Sequence, residues 1–302
     1  MMSAAFLIVA LSEPRFATYV LGTAQDGGFP QLGCEATCCT LARSDPSVAR
    51  LRTALGVVDR ETRKLVLIEA TSDIERQVSE LHRLAPATDR GRNPVDAVLV
   101  THAHAGHYLG LMSFGKETAA SRAMPLYCTA RFAAFLESSP PLHLLITDQH
   151  LMPHVITPGV AFEPIPGLRA EAIQVPHRDE FSDTVAFVLR GPAKSLLFVP
   201  DIDKWEKWDR AIEQVVDSVD YALLDATFFA ADELPGRSIE KIPHPLVPET
   251  MARLATVAQK SPGKIALIHL NHTNVLLRDG DARERLERQG FHVANPGDRF
   301  DL

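Results

Sequence analysis

One stretch constrains the fold more than any other: Ala97-Val98-Leu99-Val100 runs straight into Thr101-His102-Ala103-His104-Ala105-Gly106-His107. Four apolar residues in a row read as a short buried strand. At its extended end His102 and His104 point to the same side, because side chains alternate with a period of two. His107, at the start of a following helix, approaches the same pocket. Imidazoles gathered this way can share a divalent ion. Zinc takes three or four such ligands and keeps one position open where it is catalytic. Histidines merely packed at the head of a loop are the competing reading, sound for one residue but poor for three within six positions. The expectation is a metal at the end of a buried strand.

The rest of the chain repeats that design. Short β-branched or Leu-rich runs end at polar or small residues: Phe16 to Leu21 before Gly22, then Val185 to Leu189, Ser195 to Val199, Tyr221 to Leu224 and Ile265 to Ile268. Ala54 to Val58 and Leu65 to Ile68 pair as a hairpin about the charged turn 59–64. A helix is predicted over Ser72 to Leu84, where Ile74, Val78, Leu81 and Leu84 recur at helical spacing, with Thr71, Ser72 or Asp73 as N-cap. Others are predicted at Tyr108 to Glu117, Trp205 to Val216 and Pro248 to Gln259, Pro248 suiting a first turn. Hairpins flanked by helices imply layers, with sheets inside and helices outside. One domain over residues 1–302 is expected. Its two halves meet near 140–160, where Pro140, Pro141 and Pro153 mark a surface excursion.

Composition narrows the function classes. With 46% hydrophobic and 23% charged residues, the chain is a folded globular protein rather than a disordered or fibrous one. A net charge of −7 lacks the overall basic balance of a nucleic-acid binder. The expected partner is a small-molecule or peptide-derived substrate, with homodimerisation open. No apolar run reaches the roughly 18–20 residues that span a bilayer. Residues 1–14 read as a loose extension or a degenerate export signal: Ala4 to Leu11 is apolar, but no Lys or Arg precedes it and no Ala-x-Ala follows. The expected compartment is the cytoplasm, with periplasmic or exported location the alternative. Three of the four cysteines fall between positions 34 and 39, which favours a metal over a disulfide framework.

The His-x-His-x-x-His pattern after a strand resembles the first metal motif of the metallo-β-lactamase superfamily, usually written His-x-His-x-Asp-His. Further ligand types follow in that family's order: His177 in Val175-Pro176-His177, Asp201 after Leu196 to Pro200, and His269 after Ile265 to Ile268. The resemblance spans essentially the whole chain. It implies an α/β fold, the αββα sandwich of two β-sheets with helices on the outer faces. It also implies that His102, His104 and His177 hold one metal, that His107 and His269 belong to a second, and that Asp201 bridges them. The departure is Gly106, where the family carries an aspartate. Either one catalytic ion binds, or another carboxylate substitutes. Asp26, in the Gly-rich loop 22–28, is the candidate; Asp179 and Asp183 compete, and turn or capping roles stand against all three.

Cys34, Cys38 and Cys39 offer thiols at a spacing suited to structural zinc, against a strained Cys38–Cys39 disulfide or plain packing. Two branches of the superfamily bind structural zinc through a cysteine cluster after the first strand: pyrroloquinoline-quinone biosynthesis protein B and the phosphonate-pathway cyclic phosphodiesterase. The latter completes its site with a late histidine, and by that resemblance His272 is the fourth ligand here. Their Cys-x-Cys-x-x-Cys would need a cysteine at position 36, where this chain has Ala36, so Cys38 takes that role. Cys128 reads as a core residue. Residues 22–31 and His269 to Asn274 look most like the quinone-biosynthesis branch.

Asp225, ending the run Tyr221 to Leu224, is a candidate for substrate contact, with helix capping as its rival. His244, between Pro243 and Pro245, would by resemblance assist the leaving group. Trp205 and Trp208 read as packing, and His82, His143, His150, His154 and His292 as surface or core residues. The leading functional reading is a metal-dependent hydrolase. One or two catalytic zinc ions would act on an ester, phosphodiester or amide, with Asp201 holding the water. The alternative is an iron-dependent oxygenase-type protein of pyrroloquinoline-quinone biosynthesis. That branch lacks the first two histidines and is associated with oxidative hydroxylation, and a His-rich site short of one carboxylate suits iron or manganese. A binding protein that keeps the pocket without turnover is the third. Because His102 and His104 are retained, as in hydrolytic members, hydrolysis leads.

Overall fold

The computed structural model describes residues 13–86, 90–234 and 242–302. The extension expected at residues 1–14 lies almost wholly outside them. In the first sheet β1 (Phe16–Gly22), β2 (Ala54–Asp59), β3 (Leu65–Ile68), β4 (Ala97–Leu99), β5 (Met124–Thr129) and β6 (Leu151–Ile156) follow in chain order. The second holds β7 (Ala161–Ile165), β8 (Leu168–Gln174), β9 (Val185–Arg190), β10 (Ser195–Val199), β11 (Tyr221–Asp225), β12 (Ile265–Ile268) and β13 (Phe291–Val293). A last strand, β14 (Arg299–Asp301), returns to the first sheet beside β1. Each sheet opens with antiparallel neighbours and ends with parallel ones, from β3 to β6 and from β10 to β13.

The helices are α1 (Thr37–Ser44), α2 (Ile74–Leu84), α3 (Ala105–Tyr108), α4 (Ala130–Ser138), α5 (Pro140–Thr147), α6 (Ile212–Asp217), α7 (Val247–Lys260) and α8 (Gly280–Glu287). Side-chain alternation sorts the strands' apolar residues into layers. Val66 and Ile68 of β3 and Leu196 and Phe198 of β10 meet in the apolar layer between the sheets. Leu65 and Leu67 turn instead to Ile74, Val78 and Leu81 of α2. Leu197 and Val199 turn to Ile212, Leu254 and Leu286 of α6, α7 and α8. Strands covered on both faces explain the unbroken apolar runs in the sequence. The result is the αββα sandwich. Pro153 and Pro164 stand on β6 and β7, the edge strands of their sheets, where the missing N–H breaks no central ladder.

Three local expectations are corrected. Tyr108 to Glu117 is no α-helix: one turn of α3 passes into a tighter 3-10 helix over Leu109–Phe114 and ends there. The Gly110 N–H is spent on the Ala70 carbonyl at 2.8 Å, and a Cβ at Gly110 would sit 2.1 Å from the Thr71 carbonyl oxygen. Trp205 to Val216 is broken as well, into a 3-10 turn and α6. Both indoles are anchored elsewhere, Trp205 donating to Thr250 Oγ1 and Trp208 to the Gln174 carbonyl, and Trp208 is extended at φ −80°, ψ 136°. Pro140 and Pro141 open α5 rather than a surface excursion, because proline is pre-organised for a helix's first turn.

Candidate metal centre

Strands β1, β3 and β4 run parallel to one another in one sheet, and β8, β10, β11 and β12 do so in the other. The polar residues of interest lie at or just past their C-terminal ends. There the backbone leaves the ladder and side chains of both sheets converge, the usual place for a ligand in a sheet-based fold. Two positions are held in the left-handed region, Glu69 (φ 73°) directly after β3 and His269 (φ 65°) directly after β12. Such backbone is costly outside glycine and persists where surroundings impose it.

Three groups form around Asp201. His102, His104, His177 and Asp201 each place one candidate ligand atom within 4.8 Å of the others; so do Asp26, His107, Asp201 and His269, and so do Asp201, Asp225 and His244. In the first, the Asp201 carboxylate lies 3.3 Å from His177 Nε2 and 3.5 Å from His102 Nε2. In the second, Asp26 Oδ1 lies 3.1 Å from His107 Nε2 and 3.4 Å from His269 Nε2. Both nitrogens of His177 and Oδ1 of Asp201 are buried without a hydrogen-bond partner among the described residues. Buried polar atoms are normally paired, and a shared cation would satisfy Asp201 Oδ1 and the His177 Nε2 that faces it.

Electrostatics fit that donor set. Burial holds His102 well below the usual imidazole range, with the charge of His107 adding to it, and burial also lowers His104. Both are therefore in the neutral form that ligates. Burial works against the Asp26 and Asp201 carboxylates, but facing imidazoles win: His107 and His269 hold Asp26 well below its ordinary range, and His177 and His244 do so for Asp201. Without metal the compensating charge rests on imidazolium. Burial opposes the charged form of His107, yet Glu69 and Asp26 raise it well above the ordinary value. A divalent cation is the alternative source of that positive charge.

Residues behind the ligands fix their orientation. The Thr101 hydroxyl donates to Glu69 Oε1 at 2.5 Å and so accepts from His102 Nδ1 at 2.9 Å, leaving Nε2 free to face the centre. The Thr227 hydroxyl donates to Asp225 Oδ1 at 2.6 Å and accepts from His269 Nδ1 at 2.9 Å. His104 places Nδ1 inward, 2.9 Å from His102 Nε2, while its Nε2 meets Glu180 Oε2 at 2.9 Å. Carboxylates and hydroxyls behind ligating imidazoles set tautomer and basicity. Glu69, Thr101, Thr227 and Glu180 carry no ligand motif and were not among the residues singled out from the sequence. For Glu69 a signal existed: Glu69-Ala70-Thr71 after one apolar run matches Asp225-Ala226-Thr227 after another.

Asp225 is fully buried and its oxygens are occupied by Thr227, the Ile202 N–H and His244. Asp225, expected to contact substrate, has its oxygens turned to these three partners and stands behind His244 and Thr227. Among the competing carboxylates, Asp179 accepts from Thr184 and Asp183 from Thr129, which leaves Asp26 at the imidazoles. The thiols regroup too. All four cysteines are free, and Cys34, Cys39 and His272 cluster within 4.8 Å. Cys38 does not join them. It is the neighbour of Cys39 on α1, and successive helical residues point about 100° apart, so the two thiols, both buried in the same core cluster, do not face one site. Burial pushes the Cys39 thiol up to about 12, so ionising it calls for a cation.

Other proteins share this arrangement of strands. The sequence profile of the beta-lactamase superfamily domain matches residues 64–270, more than half of the chain. The chain belongs to the metallo-β-lactamase superfamily. Coenzyme PQQ synthesis protein B of Methylorubrum populi is 26% identical, covering 94% of this chain and 99% of that protein. The Cupriavidus necator protein of the same name is 27% identical, with coverages of 92% and 97%. The Zn(2+)-bound PqqB structure from Methylobacterium extorquens superposes with a TM-score of 0.80 at 23% identity, covering 95% of this chain and all 100% of that one. A diphosphatase of the PhnP family superposes with a TM-score of 0.67 at 22% identity, covering 95% and 97%. The resemblance drawn from the motifs thus stands, both as to superfamily and as to the two branches. Among the described residues no helix is long and apolar enough to cross a membrane.

Proposed function

We propose that the chain is a metal-dependent hydrolase acting on a small-molecule or peptide-derived ester, phosphodiester or amide. The observation that carries this reading is the paired group of imidazoles sharing Asp201, with buried ligand atoms that find no hydrogen-bond partner among the described residues. His102, His104, His177 and Asp201 would hold one ion, and Asp26, His107, His269 and Asp201 a second; Cys34, Cys39 and His272 would hold structural zinc. Zinc at such a centre supplies Lewis acidity and brings the pKa of water to about 7. The chain's own residues supply the rest. Asp201 orients the nucleophilic water through its carboxylate. His244 Nδ1 is 2.8 Å from Asp225 and 3.2 Å from Asp201. Burial disfavours its charge, but Asp225 and then Asp201 outweigh this and hold it at about 9 in the metal-free protein; with Asp225 beside it in either state, the ring is the group placed to carry a proton to a leaving group.

The test is turnover of bis(p-nitrophenyl) phosphate and p-nitrophenyl acetate by zinc-loaded protein beside a His102→Ala variant. Hydrolysis lost in the variant supports the reading; equal rates in both would sink it. One observation favours a second reading, an iron- or manganese-dependent oxygenase-type role in quinone-cofactor biosynthesis: the relatives along nearly the whole chain are named for coenzyme PQQ synthesis. Protein expressed with zinc and iron both available separates the two, because oxygenation needs a redox-active ion at the imidazoles.

A further inference from the structure

Gly106 is glycine because the space beside it is taken. An ideal Cβ there would lie 2.4 Å from Asp26 Oδ1 and 2.6 Å from Asp26 Cα and Cγ. We propose that the second-ion carboxylate has been relocated from position 106 to Asp26 on the loop after β1, and that Arg52 is the positioning residue that holds it there. This rests on the metal centre proposed above.

A carboxylate at 106 and the one at Asp26 would compete for a single volume, so the chain can use one or the other. Asp26 fills that volume productively, its Oδ1 facing His107 and His269 while Asp201 Oδ2 stands 3.8 Å from the same His107 nitrogen. A carboxylate on a loop needs a rigid support, and Arg52 supplies it through the backbone. Its Nε donates to the Asp26 carbonyl at 2.6 Å and an Nη to the Gly27 carbonyl at 3.3 Å. The other Nη meets Asp73 Oδ2 at 3.1 Å, the same oxygen that accepts the Arg52 N–H at 2.8 Å. Gln77 Nε2 then donates to the Arg52 carbonyl at 2.8 Å. Gly28 turns the chain at φ 69° against this guanidinium, where a Cβ would come within 3.3 Å.

On its other side the loop is stitched to the second sheet. Gln25 N–H donates to the Leu270 carbonyl at 2.9 Å and Leu270 N–H to the Thr23 carbonyl at 2.8 Å. Asp26 is therefore carried on a bridge between Arg52, just ahead of β2 in one sheet, and the residue that follows His269 in the other. A planar fork reaching two carbonyls and a carboxylate is work for arginine, which lysine's single point of charge cannot reproduce.

The experiment counts metal rather than turnover. Full-length protein is stripped with chelator, titrated with zinc by calorimetry, and its bound zinc measured by elemental analysis, with melting curves in parallel. Asp26→Ala and Gly106→Asp should each bind one equivalent fewer than the wild type, and the exchange variant Asp26→Gly/Gly106→Asp should regain it. Arg52→Ala should weaken that one equivalent by about 10- to 100-fold while the others keep their affinity, with Arg52→Lys between. An unchanged zinc count in Asp26→Ala, or an exchange variant binding no more than Gly106→Asp alone, overturns the relocation. Wild-type affinity in Arg52→Ala overturns the positioning role. The exchange pair decides the relocation even where Arg52→Ala lowers the melting temperature. Because no substrate enters, hydrolysis can fail while this holds; a wild type that binds zinc only through Cys34 fails both.

Discussion

At the scale of single residues, two buried carboxylates perform matching tasks in the two sheets. Glu69 lies 3.2 Å from His107 Nδ1 and reaches His102 through Thr101. Asp225 meets His244 directly and reaches His269 through Thr227. Each acid thus orients two imidazoles, one by contact and one through a hydroxyl. Thr227→Val, close in shape but without that hydroxyl, should weaken metal binding at the His269 group by about 10- to 100-fold, measured by zinc titration. In metal-free protein, NMR titration should show the His244 ring losing its proton near pH 9, and Asp225→Asn should move that midpoint down by removing the leading charge that raises it. His244's folded value lies above its unfolded value of about 6.5. Its contribution to stability is therefore complete below that pH and is lost as pH rises through about 9.

At the scale of elements, the β2–β3 hairpin shows how one side chain can hold a turn. Asp59 is fully buried and accepts from Arg15 Nε and Nη2, the Thr62 hydroxyl, and the N–H groups of Glu61 and Thr62. Burial works to raise its pKa, but these donors, Arg15 foremost, lower it. Its contribution is therefore present above the unfolded value of about 3.9 and fades as pH falls through the lower folded value. Asp59→Ala strands the turn's donors and should cost about 3 kcal/mol in urea unfolding; a loss under about 0.5 kcal/mol, the range of ordinary surface changes, would refute this. Helix α2 shows a similar economy. Asp73 stands at its N-cap position but makes no side-chain cap, because its carboxylate serves Arg52.

At the scale of the whole molecule, the two candidate metal sites share their loops. The loop after β1 carries Asp26 and leads to Cys34, and the loop after β12 carries His269 and then His272. Zinc on Cys34, Cys39 and His272 would thus staple the segments that deliver Asp26 and His269. Elemental analysis should find one zinc equivalent lost from Cys34→Ser and a different share lost from His102→Ala, with the melting temperature lower in Cys34→Ser. No loss from either variant would refute both sites. Between the sheets, Phe198 pairs across the ladder with Phe187, both fully buried. Phe198→Ala should cost about 3–5 kcal/mol in the same unfolding assay, since a close-packed layer collapses only partly around the cavity.

Sequence alone determined what depends on near neighbours. The apolar runs that became β3, β10, β11 and β12 were legible because burial on both faces leaves no polar alternation. The ends of β4, β10 and β12 marked His102 and His104, Asp201, and His269 in turn, because ligating side chains cluster where strands stop. Tertiary structure decided whatever depended on distant segments meeting. The choice of Asp26 over Asp179 and Asp183 required two segments far apart in the chain to collide at Gly106. The exclusion of Cys38 required a helix beginning at Thr37. The breaks after Tyr108 and Trp208 required hydrogen bonds to other parts of the chain, and the place of Asp225 behind His244 required that ring and Ile202 beside it. Local pattern reports how a segment is solvated; which polar groups satisfy one another is settled only when the chain closes on itself.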